Sequence, residues 1–149
     1  MQIKKIKPIL LILLVVIVAS NLIINFQPSL PLGLYLKIHG RQYKKGDIVV
    51  FYLDKKYDKY YKNKKSIKYP MKRIVADNKD MITVKNNHIY VNQEDYGEIL
   101  DLGTEQPVFS IEKDCFFLLS KKPHSFDSRY YGQVCRKDFK YKARLLIEM

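Results

Sequence analysis

The sequence predicts a mainly β fold behind one N-terminal membrane helix. Short runs of β-branched, aromatic and alternating apolar residues recur along the 149-residue chain and favour strands. No stretch beyond Phe26 keeps an apolar period of 3.6 residues over three turns, so long helices are not expected there. Before Phe26 lies one long apolar run, which is the candidate for a membrane span.

The composition excludes the disordered and fibrous classes. Hydrophobic residues make up 47% of the chain, with 12 Tyr and 7 Phe, whereas Gly and Pro number six each. A length of 149 residues suits one compact domain with a real core. The 27 Lys and Arg outnumber the 15 Asp and Glu, and the resulting net charge of +12 favours anionic partners without indicating a fold.

Residues 9–26 form the candidate membrane span. As a helix they would extend about 27 Å, close to the ~30 Å thickness of the hydrocarbon core of a bilayer. A cleaved secretory signal is the alternative, but with Ala19 as its last residue, Ile17 would occupy a position that prefers a small side chain. We therefore expect an uncleaved anchor. Its polar residues are Ser20, Asn21 and Asn25.

The charges around this span predict its orientation. Three lysines precede it and a long domain follows it, so the N-terminus is expected to stay in the cytoplasm. Residues 1–8 are then a cytoplasmic basic N-terminus, 9–26 the transmembrane helix and 27–149 an extracytoplasmic domain. In an oxidising compartment Cys115 and Cys135 are candidates for a disulfide, and two buried thiols are the alternative.

The strands of the domain are predicted from apolar alternation and from β-branched runs. Asn86 and Asn87 tolerate a positive φ and predict a hairpin turn. The predicted strands cover 34–38, 47–53, 71–76, 81–84, 88–91, 115–119, 131–135 and 143–147.

Residues 54–69 differ from the rest of the domain, with seven Lys, four Tyr and two Asp. This composition is typical of a solvated loop or an exposed hairpin tip. Contact with an anionic membrane surface is the second interpretation. Basic and aromatic residues also bind single-stranded nucleic acid, but an extracytoplasmic domain would not meet it, so no nucleic-acid partner is expected.

Two polar positions suggest chemistry. Ser29 lies between Pro28 and Pro31, which hold the chain extended and leave the serine exposed; a linker that merely ends the helix is the alternative. Lys72 lies inside an apolar strand, where burial would lower the pKa of its amine from ~10.4 to around 7 and make it a general base. A lysine that points outward is the alternative, because side chains alternate along a strand.

Residues 125–132 link two strand-like runs and contain the third set of polar residues that suggests chemistry. Asp127 and Arg129 can pair across a turn. Ser125 or Ser128 can offer a hydroxyl to a neutral lysine. Taken alone, the segment is an ordinary polar turn.

Together, these segments resemble the signal peptidase I family of membrane-anchored serine proteases. Residues 29–35, SLPLGLY, are similar to the SxPxGxY context of the nucleophile in its conjugative-transfer branch. Residues 46–49, GDIV, resemble its second box, and residues 71–76, MKRIVA, resemble the box with the general-base lysine. Residues 125–132, SFDSRYYG, are similar to its last box almost residue for residue.

The resemblance implies a role for each of these positions. Ser29 would be the nucleophile, Lys72 the general base and Ser125 the residue that orients the lysine. Asp127 and Arg129 would form a structural ion pair. No cofactor and no metal is expected.

The resemblance also implies a fold, a substrate class and a location. The fold would be a signal-peptidase-like coiled β-sheet catalytic domain. The enzyme would be a serine endopeptidase that cleaves precursor proteins with signal peptides, or pilin-like substrates, after small residues. It would cross the bacterial inner membrane once, with the lipid bilayer as a further partner and the catalytic domain on the periplasmic or extracellular side.

The oxyanion hole is the point at which this chain departs from the family. The backbone N–H of Ser29 would contribute to it. Two positions before the nucleophile the family commonly has a hydroxyl residue, but here Gln27 stands there. The amide of Gln27 is a candidate donor with a longer reach.

Three alternatives accompany this interpretation. Ser29, His124 and Asp127 would form a conventional triad if the fold brought them together. Self-cleaving repressors share the serine and lysine chemistry, but they carry a soluble DNA-binding domain where this chain has the apolar run. The alternative without catalysis is a membrane-anchored scaffold of a secretion or conjugation apparatus, a pseudo-peptidase, and Gln27 is the residue that favours it.

Overall fold

The computed structural model describes residues 3–60 and 69–149, with side chains from residue 8 onward. The helices are α1 (Ile3–Ser20) and the one-turn α2 (Ser128–Tyr131). The first five strands are β1 (Leu22–Asn25), β2 (Gly33–Ile38), β3 (Ile48–Phe51), β4 (Met71–Ala76) and β5 (Ile82–Lys85). The others are β6 (His88–Val91), β7 (Glu94–Glu98), β8 (Cys115–Leu118), β9 (Val134–Cys135) and β10 (Phe139–Glu148).

The strands form two antiparallel sheets. Seven of them follow the order β1-β2-β10-β3-β4-β8-β9, and β5-β6-β7 form a smaller sheet. The long strand β10 lies between β2 and β3, pairing Leu145 with Tyr35 on one side and Ala143 with Ile48 on the other. The prediction of a mainly β fold is confirmed.

Most strands lie where the sequence predicts them. β4 and β6 have the predicted bounds, and Asn86 and Asn87 form the hairpin turn with φ of 50° and 60°. The prediction of a strand over 131–135 is wrong at its start, because Asp127 caps a helical turn that extends to Tyr131 and ends at Gly132. Strands β1 and β7 were not predicted.

The N-terminal helix is shorter than predicted at its C-terminal end. α1 ends at Ser20 and does not continue to Phe26, so the predicted bounds of 9–26 are wrong there. The reason is strand pairing, since Leu22–Asn25 forms β1 along the edge of β2. In the described part of the chain, no helix combines the length and the apolar character that are needed to cross a membrane.

The segment 54–69 is described only in part, because 61–68 lie outside the described residues. Lys55–Tyr60 forms a 3-10 helix. Its two tyrosines pack against a core cluster, and the ring of Tyr60 stacks on Phe126 with the centroids 5.1 Å apart. The beginning of the predicted solvated loop is therefore held to the domain by its aromatic side chains.

The buried apolar clusters include residues next to the three polar segments of the sequence. Leu30 and Met71, which follow and precede the two candidate catalytic residues, belong to one cluster. Phe126, which follows Ser125, belongs to a second cluster with Val49 and Ile74. The packing of these apolar neighbours brings the three polar segments of the sequence to one region of the domain.

Gly33 begins β2 at a close crossing of two strands. A methyl group at this position would overlap the carbonyl oxygen of Ile147 in β10. Nearby, the backbone N–H of Met149 donates to the carbonyl of Leu32 at 2.9 Å. The glycine of the SLPLGLY segment is therefore required by the approach of β10 to the loop that carries Ser29.

We predict that Gly33→Ala lowers the free energy of unfolding by about 1–3 kcal/mol, because the new methyl group must displace β10. Urea unfolding followed by circular dichroism measures the change. The matched control is Gly40→Ala, where the added methyl group meets no atom within 4 Å, so its stability should stay within about 0.5 kcal/mol of the parent. Equal stabilities for the two variants would contradict the crowding at Gly33.

Candidate active site

Lys72 is a buried lysine near the start of β4. The residue is 4% exposed, and its backbone lies opposite Val49 of β3. Arg73, the next residue along the strand, is exposed and donates to the carbonyl of Gly46 at 2.9 Å. Strand alternation thus directs Lys72 into the domain. There its Nζ donates a hydrogen bond to Ser125 Oγ at 3.0 Å.

Burial makes the Lys72 amine easier to deprotonate. Loss of hydration lowers the pKa of Lys72 from 10.5 to about 8. The Asp127 carboxylate acts against this change and raises the pKa, while Arg129 lowers it. At pH 8 about half of the Lys72 amines are therefore neutral, and a neutral amine is able to accept a proton.

The segment 125–132 is held by a buried ion pair. Asp127 is 0% exposed and Arg129 is 2% exposed. Arg129 Nε donates to Asp127 Oδ1 at 2.8 Å and Nη2 donates to Oδ2 at 3.1 Å, so the contact is bidentate. The remaining guanidinium hydrogens reach the backbone carbonyls of Glu98, Tyr96 and Ser120 at 2.8–3.0 Å.

The two serines of this segment have different partners. Ser125 Oγ accepts the hydrogen bond from Lys72, whereas Ser128 Oγ accepts one from the backbone N–H of Leu118 at 2.9 Å. Both serines are buried. Of the two hydroxyls considered from the sequence, the one that contacts the lysine is therefore Ser125.

Ser29 lies in the loop between β1 and β2, in contact with Ser120. Its carbonyl oxygen accepts a hydrogen bond from Ser120 Oγ at 3.1 Å. Its own Oγ is buried, so the expectation of an exposed serine is wrong for this hydroxyl, and the Oγ has no hydrogen-bond partner among the described residues. A buried hydroxyl without a partner is rare, because it gives up its bonds to water without replacement.

Ser29 and Lys72 are both bound to residues 120–125, but they are not bound to each other. Ser29 contacts Ser120, and Lys72 contacts Ser125. Ser120 Oγ also accepts a hydrogen bond from the backbone N–H of Lys122 at 3.1 Å. The residues that contact Ser29 and Lys72 therefore belong to one turn. A direct hydrogen bond between Ser29 Oγ and Lys72 Nζ is not formed in the described structure, and in free enzymes such catalytic contacts are often long.

A cleft of about 370 Å³ opens beside Ser29. Its walls come from the Ser29 loop, from β4 and from the residues after β8, and include Pro31, Val75 and Leu119. The exposed surface of these walls is mainly apolar. A cleft of this kind can receive an apolar chain segment beside the Ser29 loop.

Gln27 does not line the cleft at Ser29. It lines a neighbouring cleft together with Ile23, Tyr69 and Met71. Its backbone N–H and carbonyl are both engaged by the side chain of Asn25, at 3.0 and 3.1 Å. In this arrangement the Ser29 backbone N–H remains the nearer candidate donor for an oxyanion at Ser29.

His124, the candidate base of a conventional triad, is exposed at a turn with a φ of 58°. The carboxylate of Asp127 accepts hydrogen bonds from Arg129 Nε at 2.8 Å and from the backbone N–H of Ser120 at 3.1 Å. The triad therefore lacks the contact that would fix the imidazole.

Two residues around the site were missed by sequence reasoning. Asn25 is 5% exposed and its side chain binds the backbone of the Ser29 loop. Ser120 is 8% exposed and links the Ser29 carbonyl to the segment of the ion pair. For Asn25 the sequence did carry a signal, because an asparagine inside an apolar run needs hydrogen-bond partners if its amide is buried.

A disulfide closes the chain around the site. Cys115 of β8 and Cys135 of β9 are bonded, and the two residues lie opposite each other in the strand register. The 20-residue separation encloses the turn at Ser120, the Lys72 partner Ser125 and the ion pair. The disulfide considered from the sequence is thus formed, and it ties both ends of the segment that organises the site.

We predict that Lys72→Met stabilises the fold at neutral pH. Because the pKa falls from 10.5 to about 8, keeping the charged amine in this site costs about 3 kcal/mol. The cost is fully present below pH 8 and disappears as pH rises toward 10.5, since the native amine loses its proton first. Lys72→Met should therefore be more stable than the parent by up to about 3 kcal/mol at pH 7, and by much less near pH 10.

Urea unfolding at a series of pH values measures this difference. Lys85→Met, on an exposed position of β5, is the matched control and should leave stability and its pH dependence unchanged. A parent and a Lys72→Met variant with the same pH dependence would show that Lys72 is not desolvated.

The comparisons with known proteins agree with this geometry. A family model described as signal peptidase, peptidase S26, matches residues 3–147. Among the curated proteins, none matches the chain. The matched range covers both sheets, the Ser29 loop, β4 with Lys72 and the segment with the ion pair. The chain therefore belongs to the signal peptidase family of serine peptidases, peptidase S26.

Proposed function

We propose that the protein is a membrane-anchored serine endopeptidase in which Ser29 is the nucleophile and Lys72 the general base. The observation that carries the proposal is the buried amine of Lys72, hydrogen-bonded to Ser125 at 3.0 Å, with a pKa of about 8. A buried amine that loses its proton near neutral pH is typical of a catalytic base.

The proposed reaction proceeds in two stages. Ser29 Oγ attacks the scissile carbonyl carbon while its proton moves to Lys72 Nζ, and the resulting oxyanion is bound by the Ser29 N–H. The tetrahedral intermediate breaks its C–N bond, and the Lys72 ammonium returns the proton to the leaving amine. A water molecule then attacks the Ser29 ester carbon while Lys72 accepts its proton. The C–O bond to Ser29 Oγ breaks, the Lys72 ammonium returns the proton to Ser29 Oγ, and the acid product is released.

This reaction requires the Ser29 hydroxyl to come into contact with Lys72 Nζ. Its Oγ has no hydrogen-bond partner among the described residues, so rotation toward Lys72 breaks no existing bond. Lys72 keeps Ser125 as a partner, and that contact limits the directions in which its Nζ can point. We propose that a substrate in the cleft completes the contact between the two groups.

We propose further that the enzyme acts at the outer side of the bacterial inner membrane. The apolar residues 9–26 follow three lysines in the sequence, and the described side chains from Ile9 to Val18 are 51–64% exposed on α1. An exposed apolar helix needs a nonpolar surrounding such as lipid. The disulfide is consistent with an oxidising compartment.

The proposed substrates are precursors with signal peptides or pilin-like proteins, cleaved after small residues. The SLPLGLY segment at Ser29 supports the conjugative-transfer branch, because it contains the SxPxGxY pattern. The cleft beside Ser29 has mainly apolar walls, which suits small apolar side chains before the scissile bond.

A pseudo-peptidase that binds precursors without cutting them is the second candidate. The observation that favours it is the missing hydrogen bond between Ser29 Oγ and Lys72 Nζ, together with Gln27 in place of a hydroxyl residue. Such a scaffold would serve a secretion or conjugation apparatus and would keep the cleft while lacking turnover.

We predict that Ser29→Ala abolishes cleavage and that Lys72→Ala lowers kcat/KM by at least about 10³-fold. The substrate is a synthetic precursor peptide with an apolar segment followed by Ala-Xaa-Ala, and the enzyme is the full chain in detergent micelles. Ser110→Ala and Lys85→Ala, both at exposed positions, are the matched controls and should retain parental activity. The pseudo-peptidase would be favoured if the parent chain binds the peptide, does not cleave it, and is not acylated at Ser29 by a penem inhibitor.

We also predict that kcat/KM rises with pH and follows an apparent pKa of about 8, because only neutral Lys72 accepts the Ser29 proton. Initial rates between pH 6 and pH 10 give the profile. A midpoint near 6.5 that disappears in His124→Ala would instead assign the base to the histidine.

A further inference from the structure

Asn25 holds the loop that carries Ser29. It is the last residue of β1, lies opposite Gly33 of β2 and is 5% exposed. Its Nδ2 donates to the carbonyls of Gln27 and Pro31, at 3.1 and 3.0 Å. Its Oδ1 accepts the N–H of Gln27 at 3.0 Å. One side chain thus bridges the backbone on both sides of Ser29.

The loop has few other internal restraints. The N–H of Leu30 donates to the carbonyl of Gln27 at 3.4 Å, which is long for such a bond. Pro31 has no N–H to donate. The fully buried Tyr35 donates its hydroxyl to the Pro31 carbonyl at 2.8 Å, so this oxygen is shared between Tyr35 and Asn25. These contacts fix the two ends of the turn.

The orientation of the Ser29 hydroxyl depends on this turn. Ser29 Oγ makes no hydrogen bond among the described residues, so no polar contact of the hydroxyl fixes its direction, and the backbone from Gln27 to Pro31 sets the direction of the Cα–Cβ bond. Ser120 restrains the Ser29 carbonyl from the opposite side. Asn25 and Ser120 therefore hold the serine between two polar contacts.

We propose that Asn25 is a positioning residue for Ser29, which sets the angle at which the hydroxyl meets the amine of Lys72 and the substrate carbonyl. The inference rests on the proposed function. An asparagine suits this role because a neutral amide both donates and accepts, and because it can be buried without the cost of a charge. A carboxylate of the same shape would keep the contact with the N–H of Gln27 and would turn two donated hydrogen bonds into repulsions.

Asn25→Asp tests the proposal with the full chain in detergent and the Ala-Xaa-Ala precursor peptide. Titration with an acylating penem, run to completion, counts the competent sites, so that kcat is expressed per reactive serine. We expect kcat per site to fall about 10²-fold with KM within about threefold, because a misplaced nucleophile loses rate more than binding. The pH midpoint is compared only in the uncharged variant Asn25→Ser, because a new carboxylate near Lys72 would itself raise the pKa of the amine.

Asn25→Ser is the milder change, and it keeps the test usable if Asn25→Asp does not fold. Its hydroxyl keeps one donor and one acceptor at a shorter reach, so its kcat should lie between those of the parent and Asn25→Asp. Asn87→Asp makes the same chemical change in an exposed turn and is expected to match the parent.

The outcomes separate the inference from the proposed function. A reduced number of titrated sites with parental kcat per site in both Asn25 variants would mean that Asn25 only stabilises the fold, and would overturn the inference alone. A shifted pH midpoint in the uncharged Asn25→Ser would assign the effect of Asn25 to Lys72 and would also overturn the inference. A parent chain that neither cleaves the peptide nor reacts with the penem would overturn the proposed function and the inference together.

Discussion

The site depends on the buried ion pair between Asp127 and Arg129. The guanidinium joins the carboxylate to the backbone carbonyls of Glu98, Tyr96 and Ser120, which belong to the small sheet and to the turn beside Ser29. Removing one member of such a pair leaves an uncompensated charge in the interior, at a typical cost of about 3–5 kcal/mol. A local contact between residues two positions apart thereby holds distant parts of the chain together.

The same pair explains why burial determines the protonation of Lys72. A lone carboxylate near the amine would hold the proton on Lys72, but Arg129 opposes that attraction. With the two charges acting against each other, the loss of hydration is the largest influence on the pKa. A neutral hydroxyl, Ser125, is then a suitable partner for the amine because it accepts from the ammonium and can also donate to the neutral form.

An element could be predicted from the sequence when its conformation depends on neighbouring residues, and could not when it depends on residues distant along the chain. β4 and β6 depend on local alternation, and their bounds were predicted correctly. β1 was not predicted, because its strand conformation depends on pairing with β2, and the apolar composition of 22–25 suits a helix equally well. The role of Asn25 was missed for the same reason, since its partners become visible only when the chain returns at Pro31.

The position of β10 has a consequence for how the molecule is made. The loop with Ser29 belongs to the hairpin-like pair β1-β2, and Lys72 belongs to the pair β3-β4, while the strand that joins these pairs is the last of the sheet to be synthesised. A nascent chain that lacks residues 139–148 therefore lacks the strand that pairs with both β2 and β3. In the seven-stranded sheet, the strand pairs β1-β2 and β3-β4 are joined only once the chain has been translated as far as Glu148.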